Sequence, residues 1–249
     1  VKISRQEIVV SFEIDSSIVL TCGQAIKNIQ KKLGGNILSI NTPEDAPPFT
    51  PRIILNLNDT IMHLGLDRVH IITIPPSHVS DEIEKSSKFT FQRVNSLLSE
   101  LRPSIPRYLW AGIISTIEYP EKSLKNTSAI EATTPVFDKL IKIDRKNKEL
   151  SSFQLQYGIK KDQYFVTYTI GGYDIRNFKL KPPKQPGFYV INPEEYPLME
   201  CGIRILLDIN NKANKQNNDP INDIEEILIE KKKLVDNILE DLNLKEVLP

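Results

Sequence analysis

The segment Arg52–Ile74, RIILNLNDTIMHLGLDRVHIITI, decides how this chain folds. Ile53, Leu55 and Leu57 share one face of a strand, because side chains alternate along extended backbone. Asn58-Asp59 is a dipeptide that tolerates the positive backbone angles of a two-residue hairpin turn. A return strand is expected from about Thr60 to Ile74. Its apolar residues begin at Met62, Leu64 and Leu66 and then switch phase to Val69 and Ile71. A bulge near Asp67-Arg68, or burial on both faces, is the expected cause.

Working outward, Ile8, Val10, Phe12 and Ile14 alternate with Glu7, Ser11, Glu13 and Asp15, the pattern of a half-buried strand. Cys22, Ile26, Ile29 and Leu33 repeat at helical spacing up to a Gly34-Gly35 stop. The proline-rich stretch 41–51 reads as a loop. After Pro75-Pro76, the acidic Asp81, Glu82 and Glu84 suit a helix N-terminus, and Phe91, Val94, Leu97, Leu98 and Leu101 form its apolar stripe. Leu109, Ala111, Ile113 and Ile117 make a closing strand. The expectation is therefore an α+β protein, with a ferredoxin-like βαββαβ module over residues 1–120.

Residues 121–249 predict a second, mainly antiparallel module. A polar connection from Glu121 to Thr134 leads to a short helix with Val136, Leu140 and Ile141. Phe153, Leu155, Tyr157 and Ile159 pair through a Lys160-Lys161-Asp162 turn with Tyr164, Val166, Tyr168 and Ile170. A proline-rich loop over Lys181–Pro186 precedes Phe188–Ile191, and Cys201–Ile209 forms a last strand. The Asn-, Lys- and Gln-rich stretch 210–219 has little to bury and reads as mobile. A C-terminal amphipathic helix carries Ile224, Ile227, Leu228, Leu234, Val235, Ile238, Leu239 and Leu242. The two modules are expected to share a helix-and-sheet plan, with one continuous core as the alternative to two domains.

The bulk composition narrows the function classes. The chain has 249 residues, 40% hydrophobic and 26% charged, with 32 basic against 32 acidic residues. That balance argues against a default nucleic-acid or membrane-surface binder, which usually carries a basic excess. Cys22 and Cys201 form neither a zinc pattern nor a disulfide framework, so a reducing cytoplasm is the expected compartment. No apolar run approaches the length of a membrane-spanning helix, and no cofactor is implied. P-loop, dinucleotide-binding, nucleophile-elbow and zinc-helix motifs are all missing. Asp208, Asn210 and Asn211 fail as a calcium loop, because Lys212 takes a ligand position and the terminal Glu is missing.

Several residues stand out as candidate binding positions. Arg68, Arg204 and Asp208, with Asp67 and Glu118, sit on or beside apolar strands, where alternation can aim them at a shared sheet face or groove; a polar outer face, or a structural ion pair, is the plainer reading. Tyr164 and Tyr168 lie on a strand reminiscent of the aromatic motif on which RNA-recognition domains stack bases, with packing as the favoured alternative. His63 and His70, seven apart on one predicted strand, point to opposite faces if that strand is regular and cannot jointly hold a metal unless a bulge realigns them. Lys31-Lys32 and Lys231-Lys232-Lys233 read as solvated helix faces rather than phosphate contacts.

The order Leu57–Val69, then a helix, then Trp110-Ala111-Gly112-Ile113-Ile114-Ser115-Thr116-Ile117-Glu118, and later Leu206-Leu207-Asp208-Ile209-Asn210, resembles a sporadically distributed family of uncharacterised bacterial proteins. In that family the strand after the second helix reads like Arg-x-Gly-Leu-Arg-Tyr-x-Asn. Here Gly112 persists, while Ala111, Ile114 and Ser115 replace polar positions. The resemblance implies a two-module α+β layout and carries no activity.

These readings point to a cytoplasmic binding or assembly protein without its own catalysis, with a protein partner or self-association ahead of nucleic acid and no membrane. The alternative is an RNA or single-stranded-DNA binder, with nuclease activity as its extension. A third reading places an enzyme site with carboxylates and arginines in a cleft between the halves.

Overall fold

A computed structural model of the chain describes residues 1–40, 42–43, 45–121, 128–141, 150–177, 196–212, 219–246 and 248. The alternating N-terminal segment forms β1 (Lys2–Phe12), followed by a single turn α1 (Ile18–Thr21) and α2 (Gly23–Leu33). The chain continues through β2 (Asn36–Ser39), β3 (Ile53–Asn56), β4 (Thr60–Leu64) and β5 (Arg68–Thr73). Next come α3 (Ser77–Ser80), α4 (Ile83–Leu101), β6 (Tyr108–Pro120) and α5 (Ala129–Leu140). β7 (Gln154–Lys161), β8 (Tyr164–Arg176), β9 (Leu198–Asn210) and α6 (Pro220–Asp241) complete it. The strands form one antiparallel nine-stranded sheet in the order β2-β3-β4-β5-β1-β6-β9-β8-β7. The protein is thus a mixed α+β fold closed by a C-terminal helix.

Two findings differ from the sequence expectations at the quoted segment. Residues 60–74 are not one return strand: β4 and β5 are a hairpin of their own, pairing Met62 with Ile71 and Leu64 with Val69. The phase switch is a chain reversal through Gly65–Asp67, after which odd residues face the side that even residues faced before. In addition, β2 and β3 intervene between α2 and that hairpin, so the N-terminal half has more strands than a bare βαββαβ order. The β3–β4 connection is where expected, but Asn58 and Asp59 do not adopt positive φ, since only Asp162 and Asn243 do so among described non-glycine residues. Leu57 N–H donates to Thr60 O at 2.8 Å and continues the Asn56–Ile61 register, so Asn58-Asp59 is the two-residue loop and turns without positive φ.

The register assigns every side chain to one of two faces. Ile8, Ile113, Ile71 and Ile209 lie in line across β1, β6, β5 and β9 and are fully buried under the helices. Each such side chain contributes roughly 1.5–3 kcal/mol of burial. α4 packs on β1 and against both α2 and α6, α6 packs on β6 and β9, and α5 packs on β8 and β9. All of these helices cover the same face, and one apolar core runs beneath them from Leu55 to Tyr168. The two halves share a plan: a strand, a helix, a meander whose last strand returns beside the first, and a closing helix. They meet at β1–β6.

Helix starts follow local chemistry. Ser128 Oγ accepts from Glu131 N–H and the Glu131 carboxylate accepts from Ser128 N–H, a capping box that starts α5 earlier than the polar composition of 121–134 implied. Asp219 caps α6, its carboxylate accepting from Ile221 N–H at 2.8 Å with Pro220 at the first helical position. The loop Lys181–Pro186, the expected strand at Phe188–Ile191 and most of the stretch 210–219 lie outside the described residues. No described helix is long and apolar enough to cross a membrane.

The seat of α5 supplies a first prediction. A Cβ on Gly172 would stand 2.7 Å from the Ala129 carbonyl oxygen and 2.9 Å from Ala129 Cβ, backbone and stub that cannot swing aside. Gly172→Ala is expected to lower thermal stability by about 1–3 kcal/mol. Gly23→Ala, where nothing lies within 4 Å, serves as the control and should be neutral or stabilising on the same melting curve.

Candidate functional site

No described helix or strand lies on the second face of the sheet. Alternation places Glu7, Val9, His63, His70, Ile114, Glu118, Phe165, Arg204, Leu206 and Asp208 there. Apolar members remain accessible, with Phe165 42% and Leu206 37% exposed, so this is not simply a polar outer surface.

On the β1–β5–β4 side, Glu7 links Arg5 and His70. Its Oε1 accepts from Arg5 Nε at 2.9 Å and its Oε2 lies 2.9 Å from His70 Nε2. The His63 ring meets His70 edge to face, with centroids 5.7 Å apart. The expectation that these histidines point oppositely is corrected by the reversal at Gly65–Asp67, which sets them directly across from each other. Burial, then the neighbouring His70 and Arg5, hold His63 below its ordinary pKa, so its ring is neutral at pH 7. Among the described residues no group of three or more His, Cys, Asp or Glu side chains is placed to hold a metal.

On the β6–β9–β8 side, Arg204 donates to Glu118 Oε1 from Nε at 3.1 Å and from Nη2 at 2.6 Å. Its guanidinium lies 4.8 Å above the Tyr173 ring. Burial and the hydrogen bond to Glu200 at 2.9 Å push the Tyr173 hydroxyl pKa up, keeping it a donor. Glu118 is buried, and its Oε2 has no hydrogen-bond partner. Beside this pair is a hollow of about 160 Å³ lined by Phe153, Gln154, Thr169, Gly171, Arg204 and Leu206. A buried carboxylate held by a half-exposed arginine above an aromatic ring is a rigid polar fixture at the rim of a hollow with mixed polar and apolar walls. Such a fixture orients a bound group.

Arg68 and Asp208 share this face with Arg204 but not its hollow. Arg68 is held bidentately by Asp67 at 2.9 and 2.8 Å and lies 5.2 Å from the Phe49 ring centroid. It is level with Trp110 on β6 whereas Arg204 is level with Glu118, so the two lie three strand spacings apart, roughly 14 Å, and also eight residues apart along the strands, roughly 27 Å. Asp208 accepts from Asn210 at 3.3 Å and stands opposite Thr167 and Ile114. The halves join through β1–β6 hydrogen bonding, so no cleft opens between them along those two strands.

Tyr164 and Tyr168 face the helices. The Tyr168 hydroxyl donates to Leu234 O at 3.3 Å and its ring is 2% exposed; Tyr164 is buried beside Glu226. Burial pushes the Tyr168 pKa up to about 12. Neither ring can stack on a base, and the packing reading applies.

Sequence reasoning missed two buried polar clusters. Lys231 is fully buried, and its Nζ donates to Gln6 Oε1 at 2.6 Å. Gln6 Nε2 in turn donates to Ser86 Oγ at 2.7 Å and Thr90 Oγ1 at 2.8 Å. Burial lowers the Lys231 pKa to about 7. The reading of 231–233 as a solvated run is thereby corrected, although Lys232 and Lys233 do lie outside, paired with Glu84 and Glu230. A signal was present: residue 231 is four from Ile227 and Val235 and three from Leu228 and Leu234, on the apolar stripe. The second cluster joins Tyr108, Asn211 and Asp223, the last accepting at 2.6 Å from both partners.

No family model matches the chain, and no curated protein matches it significantly.

Proposed function

We propose that this is a binding or assembly protein whose working surface is the helix-free face of the sheet, engaged by a protein partner. The observation that carries the reading is the accessible Leu206 beside the fixed Arg204–Glu118–Tyr173 group at a hollow, with the exposed Phe165 on the same face roughly 20 Å further along β8. Interfaces commonly have this anatomy, an apolar centre with an anchored arginine and aromatic residues. The order β4-β5-β1-β6 supports reading the N-terminal half as a ferredoxin-like module elaborated by β2–β3. The buried thiols Cys22 and Cys201 fit a reducing, cytoplasmic setting.

A photocrosslinking amino acid in place of Phe165 or Leu206, expressed in cells, tests the reading. Discrete protein adducts are expected from both positions, and they should fall at least tenfold when Arg204→Ala is added. The same probe at Ile229, 71% exposed on the helix side, should give none. Equal yields from all three positions, or none from Phe165 and Leu206, would exclude the helix-free face as the working surface.

A further inference from the structure

We propose that two copies of this chain pair through the outer edge of β7, antiparallel and centred on Tyr157, continuing the sheet across a two-fold axis. β7 is a terminal strand: its inner edge pairs with β8 from Gln154↔Gly171 to Lys161↔Tyr164, and no described strand pairs with its outer edge. Half of its backbone groups, about four N–H and four C=O, therefore point away from the sheet. The opposite edge differs. β2 has only four residues, and a short edge offers little template.

The helix-side flank of β7 is also open. Tyr157 stacks on Tyr168 with centroids 5.1 Å apart, and Ile159 is 43% exposed. With Leu234 and Ile238 of α6 and Leu242 just after it they frame a mainly apolar hollow of about 290 Å³ beside the strand, its rim carrying Lys161, Asn237 and Asp241. An added strand would thus find backbone partners at the edge and an apolar shelf next to them.

The strand's own sequence suits a second copy as the occupant. Directly opposed residues of an antiparallel pair share a face. Centred on Tyr157, the helix side brings Leu155 against Ile159 of the second copy and Tyr157 against itself. The other side brings Gln154 against Lys160 and Gln156 against Gly158. No like charges oppose one another. A two-residue shift towards the C-terminus sets Lys161 against Leu155, and centring on Lys160 opposes that lysine with itself. Lysines at an edge ordinarily discourage pairing; the Tyr157-centred register keeps them at the ends of the paired segment, Lys160 against Gln154 and Lys161 level with Phe153 just outside β7, while shifts towards the C-terminus carry them inward. Seven paired residues per copy make a small interface, so the expected dissociation constant is about micromolar.

Sedimentation of the 249-residue chain from nanomolar to submillimolar concentration tests the proposal. A concentration-dependent dimer is expected, with Tyr157→Asp raising the dissociation constant at least tenfold while the circular dichroism is unchanged. The register is read by mild oxidation. Tyr157→Cys should give a disulfide-linked dimer, because opposed strand residues are about 4.5–5.5 Å apart at Cα. Gln156→Cys and Gly158→Cys, each opposite a non-cysteine, should crosslink at least tenfold more slowly; Cys22 and Cys201 are buried. A chain monomeric throughout, a dimer indifferent to Tyr157→Asp, or equal crosslinking at 156, 157 and 158 would overturn the pairing. If Tyr157→Asp unfolds the chain, Ile159→Glu replaces it with the same expected weakening. Gln154 lines the hollow and also belongs to the paired edge, and Phe165 stands opposite Lys160, so adducts at Phe165 and Leu206 are sorted by mass: twice the chain's mass reports the second copy and any other mass the partner proposed above, and either reading can fail alone.

Discussion

Lys231→Met is expected to stabilise the protein by about 3 kcal/mol at pH 7, shrinking to about 1 kcal/mol by pH 9. The Lys231 ammonium is fully buried with one side-chain acceptor, Gln6 Oε1, and no carboxylate paired to it among the described residues. Its pKa in the fold is about 7, against 10.5 for the group in water. Between those values the unfolded chain binds a proton that the folded chain releases, so wild-type stability rises with pH across this window. The penalty is complete below pH 7 and vanishes above about 10.5. Methionine fills similar volume without charge. What it gives up is one hydrogen bond to Gln6, whose Oε1 keeps only a long contact from Ser115 at 3.5 Å, a loss of about 1 kcal/mol. Chemical denaturation at pH 7, 8 and 9 should therefore show a rising curve for wild type and a flatter one for the variant. Above pH 10 the buried tyrosines act the other way. Tyr119 and Tyr168, raised to about 12, hold protons that the unfolded chain loses. A variant less stable than wild type at pH 7 would show that Lys231 is held as a net stabilising donor.

Periodicity made most elements readable, because burial on one face dictates spacing. β1, α2, α4, the β7–β8 hairpin, β9 and α6 all occur where apolar residues alternate or repeat. The failure at 60–74 has a specific cause. Gly65-Leu66-Asp67 is a turn whose middle residue is apolar and packs against the core, so hydrophobicity ran unbroken through a chain reversal. Burial on both sides of that turn is indistinguishable in sequence from a strand that changes phase. The candidate surface was partly readable for the same reason. Arg68, Arg204 and Asp208 were expected on one face from alternation, and the register places them there. Which face of each strand the helices cover cannot be read from strands alone, so the sequence leaves stacking open at Tyr164 and Tyr168 beside the favoured packing, and α6 lies over that face. Long-range partners left no local trace: Gln6 and Lys231 are 225 residues apart.

Asp223→Ala is expected to destabilise the protein by about 3–4 kcal/mol, the larger loss among the variants considered. Asp223 is buried at the start of α6, and its Oδ2 accepts from Tyr108 Oη and Asn211 Nδ2, both at 2.6 Å. Asn211 Oδ1 in turn accepts from Ala111 N–H at 2.8 Å. One carboxylate therefore fastens α6 to the beginning of β6 and the end of β9. Its charge is stabilised by two donors and by the first turn of the helix, with no ion pair to Asp223 among the described residues. Removing it strands two buried donors, and the cost is chiefly theirs. Tyr108→Phe removes one of those donors while leaving the carboxylate one partner, and should cost about 1–2 kcal/mol. In the double variant Asp223→Ala/Tyr108→Phe the phenol no longer needs a partner, so the summed losses should exceed the measured one by about 1 kcal/mol or more. Asp223→Asn keeps an acceptor but adds a donor facing donors, and is expected between the two single variants. Strict additivity in urea denaturation, or a loss under about 1 kcal/mol for Asp223→Ala, would mean that water replaces the carboxylate and that α6 is held by its apolar stripe alone.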